Sequence, residues 1–407
     1  MFKVSKDKGN YVLQNGIASM LNVVRSIIFL RILGDVDLGW ILFIQSIAVV
    51  LGFCQFGALN GGFRQVAESD SSSHQNHVMF TVNWIIMFLF SFSLILSLGV
   101  GWLFFRGQLM LIALGVVLGA LYILKNWAQN VMIARKQLKQ TNISNLLSSL
   151  AVVASALLVV KFGFKGAIVS LFLGPIITVL AALIVSDYNL QMKFSIDIAK
   201  SLFTDGFVPY LSSISSTFMN QVDKFVILSF LSVSVLGNLY LTSVVISISL
   251  LFMGSLNNIY VPIMLAEYSK RRPDLLNRIW VKYRNTIYVS VLSLLFLYLL
   301  CFDELLKLFV PDKEGQIEYV NLAIPYLIFF GIRSLFGVWP YMMRMYAELL
   351  KINLIMLILY VVGFLIIYIL EVMSLKSVLL MKMIHQFVYL ITILLLFRLA
   401  SKKLRRV

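Results

Sequence analysis

About twelve apolar runs constrain this chain more than anything else in it, because roughly 20 residues cross a bilayer as a helix where a strand needs only about 10. The runs cover 11–33, 38–60, 78–105, 108–133, 141–161, 165–186, 205–231, 235–265, 284–302, 320–346, 350–370 and 376–398. Of 407 residues 60% are hydrophobic and 13% charged, with a mean hydropathy of +0.92. A soluble domain is nearer half apolar and a quarter charged. The fold class that follows is an all-α polytopic membrane protein. The formal net charge of +16 does not point to nucleic acid, since the basic residues sit in short loops between the runs. The first run, behind Lys3, Lys6 and Lys8, is too long for the apolar core of a cleavable signal. Cys54 and Cys301 fall in different runs and imply no disulfide.

Lys and Arg divide unequally between the two sides. One side collects Arg135, Lys136 and Lys139, Lys193 and Lys200, Lys270, Arg271, Arg272, Arg278, Lys282 and Arg284. The other holds Arg106, Lys161, Lys165, Lys307, Lys313 and Lys376. Both termini are expected to be cytoplasmic, as an even number of spans requires. The chain also repeats itself. Laying FLRILGDVDLGWILF over ILSFLSVSVLGNLYL puts Leu38-Gly39 on Leu236-Gly237, Asn22 on Asn220 and Arg25 on Asp223. This register predicts two pseudo-symmetric six-helix bundles, 1–186 and 205–407, each opening with a polar-faced helix and arranged as in a transporter. Between them 187–204 reads as an amphipathic helix on the membrane surface. LLKLF, in the loop from Asp303 to Tyr319, reads as a short interfacial helix of its own. The spacings Gly57…Gly61 and Gly115…Gly119 predict close helix packing.

A charge at the centre of a span costs about 2.5–3.5 kcal/mol, so each should face a cavity or a partner. Arg25 lies mid-span on the polar face of Asn15, Ser19, Asn22 and Ser26. Its forked cation suits a diphosphate, or an ion pair with Asp223. Lys125, Lys224 and Arg333 complete a candidate cationic lumen, with Asn22 and Asn220 as hydrogen-bonding partners for sugar hydroxyls. Lys382 and His385 are weaker members of the same set. Asp223 is the one acid placed within the spans, and is therefore the candidate for coupling to a proton or cation. His74 and His77 have no Cys or carboxylate at ligand spacing, so no metal site is expected. No phosphate-binding Gly-Lys-Ser/Thr loop, GxGxxG unit, nucleophile elbow or HExxH occurs. An enzyme is therefore not expected, nor a cofactor, and an ion gradient of protons or sodium would have to supply energy.

RILGDVDLG behind a polar first span, followed by CQFGALNGGFRQVAE closing the second, resembles the start of the bacterial O-antigen and polysaccharide flippases. These belong to the multidrug/oligosaccharidyl-lipid/polysaccharide exporter superfamily. NQVDKFVILSFLSVSVLGNLYL is similar to their second-half segment of a hydrophobic residue, Asp and a basic residue, then Leu-Gly-x-Tyr. The resemblance implies paired six-helix bundles in the bacterial inner membrane. It implies a flippase that carries an undecaprenyl-diphosphate-linked oligosaccharide from the cytoplasmic to the periplasmic leaflet, in association with a polysaccharide polymerase and a chain-length regulator. In the related lipid II flippases, arginines of the first half hold the diphosphate, and Arg25 matches in position. A cation-coupled multidrug antiporter of the same superfamily is the nearest alternative; a membrane polysaccharide polymerase is a more distant one. The scarcity of acids in the first half stands against the antiporter, and the short outer loops stand against the polymerase.

Overall fold

A computed structural model describes residues 6–104, 106–269, 272–343 and 345–404. The expectations that rest on Lys3, Lys270 and Arg271, and on the side chains of Lys6, Lys8, Asn15 and Ser19, fall outside the described residues. Helices account for nearly all of the rest, and no strand occurs among the described residues. The chain divides into two compact units, Met1–Lys224 and Phe225–Val407.

The first unit contains α1 (Lys6–Ile32), α2 (Asp35–Leu51), α3 (Ala58–Glu68), α4 (Ser72–Phe104), α5 (Leu109–Ala134), α6 (Leu138–Ala156), α7 (Leu158–Phe162), α8 (Phe164–Val185) and most of α9 (Ile196–Phe230). The second contains α10 (Val233–Ser269), α11 (Pro273–Phe309), α12 (Ile317–Met342), α13 (Tyr346–Ile369) and α14 (Leu375–Leu404). Among the described residues, nine helices are long and apolar enough to cross a membrane, and Val233–Ser247 of α10 is a shorter apolar stretch. The remaining long helices, α1 and α9, carry the polar and charged residues singled out above. Most apolar runs read from the sequence lie on one of these helices, while 38–60 and 141–161 are each divided between two.

In the first unit α5 is central, packed against α2, α4 and α8, while α6 lies along both α1 and α8. Serine hydroxyls knit α6 to α8: Ser144 donates to the Thr178 carbonyl at 3.0 Å, Ser148 to that of Gly174 at 2.8 Å, and Ser155 to Ser170 Oγ at 3.0 Å. Small hydroxylated residues let helix backbones approach where lipid supplies no hydrophobic drive. The two glycine spacings do the same. A Cβ on Gly119 would stand 2.8 Å from the Ala48 carbonyl oxygen of α2. One on Gly61 would stand 2.2 Å from that of Leu202, so α3 and α9 touch backbone to backbone.

Residues 187–195 are not the amphipathic helix expected there. They form an irregular strap whose backbone groups bond to α4 instead of to one another. Asn83, buried on α4, donates to the carbonyls of Asn189 (2.7 Å) and Gln191 (3.1 Å), and accepts from the Tyr188 hydroxyl at 3.1 Å. Burial pushes the Tyr188 pKa up, which keeps the phenol a donor. Thr81 holds the Lys193 carbonyl at 3.3 Å, and the strap ends where Ser195 Oγ accepts from the Ile198 N–H at the start of α9. Nor is LLKLF a separate helix. It continues α11 to Phe309, which at 1.5 Å per residue makes that helix about 55 Å long.

In the second unit α12 and α14 pack most extensively. Their end nearer Trp339 is an aromatic cluster, with Trp280 and Trp339 rings 5.4 Å apart and Phe336 and Phe397 4.9 Å apart. Edge-to-face pairs of this kind add about 0.5–1.5 kcal/mol each beyond area burial.

The α3–α9 contact makes a direct prediction. Gly61→Ala forces backbones apart and should cost about 1–3 kcal/mol, the range for overpacking. Gly16→Ala in α1, where a Cβ would meet nothing within 4 Å, should leave the unfolding midpoint in detergent unchanged or raised.

Candidate functional site

The run 38–60 reads as one uninterrupted span, but the structure breaks it. α2 stops at Leu51, a 3-10 turn covers Gly52–Gln55, and Phe56 and Gly57 take left-handed conformations (φ 47° and 90°) before α3 begins. Glycine is needed at Gly57 twice over. Its φ is positive, and a Cβ would stand 2.6 Å from the Gly206 carbonyl carbon of α9. Phe56 tolerates the left-handed region at a cost of about 1–2 kcal/mol. A broken helix frees backbone groups that lipid cannot satisfy, so it is found where protein or a water-filled cavity surrounds it. Here the Tyr210 hydroxyl from α9 donates to the freed Phe53 carbonyl. The Phe53 ring meets Phe218 edge-on at 5.9 Å, and Phe56 lies 6.4 Å from the Tyr210 ring.

Beside this break lies a cavity of about 420 Å³, walled by α2, the turn, α3, α5 and α9. Its polar lining comprises Gln55, Asn60, Tyr122, Lys125, Asn126, Tyr210 and Thr217, and no carboxylate lines it among the described residues. Gln55 Oε1 is buried without a hydrogen-bond partner. Arg25 of α1 is close enough for its charge to act on both Tyr122 and Lys125. The Arg25 Nε is buried and unpartnered, and the guanidinium carbon lies 5.7 Å from the Phe29 ring centre. No ion pair joins Arg25 or Lys125 to a carboxylate among the described residues. Two cations inside the spans cost about 2.5–3.5 kcal/mol each, while a cation–π contact returns about 0.5–2 kcal/mol. The site is therefore short of negative charge, and Asn60, Asn126 and Thr217 add neutral hydrogen-bonding groups around it.

Arg25 thus lies within reach of Lys125 by charge, and of the two only Lys125 lines the cavity. Asn22 does not join them: its side chain donates to the Ala18 carbonyl of its own helix at 2.9 Å. On α9, Asn220 is partly buried one turn beyond Thr217, Asp223 is fully buried, and Lys224 donates to Gln221 Oε1 at 2.9 Å. Arg333 belongs to the second unit, 9% exposed, with its guanidinium 4.1 Å from the Tyr389 ring centre and 4.8 Å from that of Phe330. No cluster of His, Cys, Asp and Glu able to hold a metal occurs among the described residues. Tyr122, Tyr210, Gln55, Asn60 and Asn126 were missed by sequence reasoning. The pair Gly52 and Gly57, flanking a glutamine inside an apolar run, was the available signal for the break.

No protein-family model and no curated protein sequence matches the chain. Solved structures do match in fold. An inward-facing conformation of a multidrug resistance MATE family transporter of the MOP superfamily aligns with TM-score 0.73 at 16% identity, over 96% of this chain and 96% of that one. An outward-facing conformation of such a transporter gives 0.68 at 14% identity, over 99% and 97%. A crystal structure of MATE in complex with MaD3S gives 0.67 at 14% identity, over 99% and 97%. The chain has the fold of these multi-pass membrane proteins along essentially its whole length.

Tyr210→Phe removes the donor from the Phe53 carbonyl without changing shape. Stability should fall by about 1–2 kcal/mol, the cost of a bare buried acceptor, read as a lower unfolding midpoint in detergent.

Proposed function

We propose that this chain is an alternating-access membrane carrier whose first-unit cavity takes the acidic head group of an amphipathic solute. In its fullest form the reading is a flippase for a diphosphate-linked oligosaccharide on a polyprenyl tail, working in the bacterial inner membrane beside a polymerase and a chain-length regulator. The observation that carries it is Lys125 on the wall of a polar cavity that no carboxylate lines among the described residues, with Arg25 near enough for its charge to act there. A diphosphate would supply the missing negative charge. Arg25 binds such groups through two parallel hydrogen bonds and Lys125 acts as a point charge beside it. Asn60, Asn126 and Thr217 present amide and hydroxyl groups suited to sugar hydroxyls, while the tail stays in lipid. Moving a diphosphate through hydrocarbon unaided would be far costlier than moving the protein's own charges. A cationic, hydrated cavity lowers that barrier.

The second reading is a cation-coupled multidrug antiporter. It is favoured by the fold comparisons, whose matches include multidrug resistance transporters, and on that ground it stands at least level with the flippase. In that case fully buried Asp223 of α9 would be the coupling group. The charge of the cavity opposes it, since a cationic drug would meet Lys125, and the charge of Arg25, with no acid on the wall among the described residues.

The two readings part in reconstituted vesicles. Translocation of a fluorescent polyprenyl-diphosphate oligosaccharide should fall more than tenfold in Arg25→Gln and Lys125→Gln, with Asp223→Asn affecting rate or coupling. Efflux of a lipophilic cation that depends on Asp223 and is unchanged by the Arg25 and Lys125 variants would select the antiporter.

A further inference from the structure

The second unit holds a buried basic cluster that the proposed cavity does not use. Lys382, His385, Gln386 and Tyr389 recur at helical spacing and share one face of α14. Arg333 meets that face from α12, and Asn353, Met356 and Tyr360 meet it from α13. Exposure is 9% for Arg333, 7% for Lys382, 6% for His385 and 3% for Gln386. The charges that act on His385 are both positive, Arg333 and Lys382. The acids of α12 and α13, Glu318 and Glu348, lie in first turns away from mid-span, and Glu318 pairs with Lys376 at 2.6 Å. Arg333 has no carboxylate partner among the described residues.

We infer that Arg333, Lys382 and Gln386, with His385 held beside them, form a binding site for a small monovalent anion of the halide class. Three features support an anion over a purely structural cluster. Aromatic faces cover one side of each cation: Tyr389 and Phe330 lie beside Arg333, and Tyr326 lies 5.1 Å from Lys382 Nζ. One Arg333 N–H is taken by the Tyr389 hydroxyl, and the other donors of the planar fork can point at an acceptor. Gln386 Nε2, on the face that carries Lys382, is a buried donor with no hydrogen-bond partner. The His385 Nε2 contact with the Met356 carbonyl at 3.0 Å orients the ring, which stacks on Tyr360 at 4.3 Å. A halide accepts several N–H donors at once and is cheaper to desolvate than a phosphate, which suits side chains this closely buried. The site lies within the second unit and stands whether or not the first-unit cavity carries a phosphate.

The test uses the full chain in detergent. Its unfolding midpoint is titrated with sodium bromide against sodium gluconate at constant ionic strength, and crystals grown in bromide are examined for anomalous scattering. The expected result is a saturable rise in midpoint and a bromide peak between Arg333 and Gln386. Lys382→Met and Gln386→Leu should each weaken bromide at least tenfold. Gln386→Leu, close in shape and uncharged like the wild type, should keep the gluconate midpoint even where Lys382→Met does not fold. No bromide dependence in the wild type would overturn the inference. So would a dependence that Gln386→Leu leaves intact, which would mean an adventitious ion only.

Discussion

The contact between Gly206 of α9 and the Gly57–Gly61 stretch admits no side chain at all: a Cβ on Gly206 would fall 2.1 Å from the Gly57 carbonyl oxygen. That contact is backbone against backbone, and the first unit's site depends on it. It lets α3 set off in a new direction from α2, and it brings α9 close enough for the Tyr210 hydroxyl to cap the Phe53 carbonyl. A continuous helix through 38–60 would have sealed its own backbone groups and filled the space beside α5 with apolar side chains. The break instead turns Gln55 and Asn60 toward the void that Lys125 of α5 also lines. Packing at three glycines is thereby converted into a polar surface at membrane depth.

Electrostatics then separates this site from an ordinary polar interface. The α6–α8 serines are satisfied by neighbouring carbonyls and oxygens, so that seam is electrically neutral and complete. Arg25 and Lys125 have no such completion. A side chain that nature keeps charged in a span, without an opposite charge beside it, is held there at a cost of a few kcal/mol that only a function repays. In the second unit Arg333 likewise has no carboxylate partner among the described residues, and rings flank both it and Lys382. Aromatic faces soften a buried cation without neutralising it.

The architecture was largely legible in the sequence. Hydrophobic periodicity and length place the helices, because lipid punishes any other backbone, and the polar faces of α1 and α9 survive as the helices that fall short of simple apolar spans. What was not legible arises from tertiary contacts. The strap at 187–195 has helical spacing of apolar residues, yet Asn83 and Thr81, far away in sequence, offer its backbone better partners than its own carbonyls would. The break after Leu51 is invisible to hydropathy because Phe53, Cys54 and Phe56 keep the run apolar; only the pair of glycines betrays it. Arg25 and Lys125 could be singled out by the cost of burial, but nothing in their spacing says that they meet. Asn22 shows the converse: it has the right position for a cavity and spends its amide on the turn before it.

If the cavity takes an acidic head group, charge balance ties the two occupancy states to different energies. With the head group absent, Arg25 and Lys125 repel across a partly desolvated space and only water screens them. With it present, each cation acquires a charge-assisted hydrogen bond, and such bonds are roughly twice as strong as neutral ones. The loaded cavity is then the stable one and the empty cavity the strained one. A carrier built this way favours capture and needs help to release its cargo. That help would have to come from a change that withdraws Arg25 from Lys125 or admits water between them. α1 is the element able to do it. It carries Arg25 but contributes no wall residue to the cavity among the described residues, and it packs chiefly on α6. A small shift of α1 along α6 would move one of the two cations while leaving the other, fixed on α5, in place.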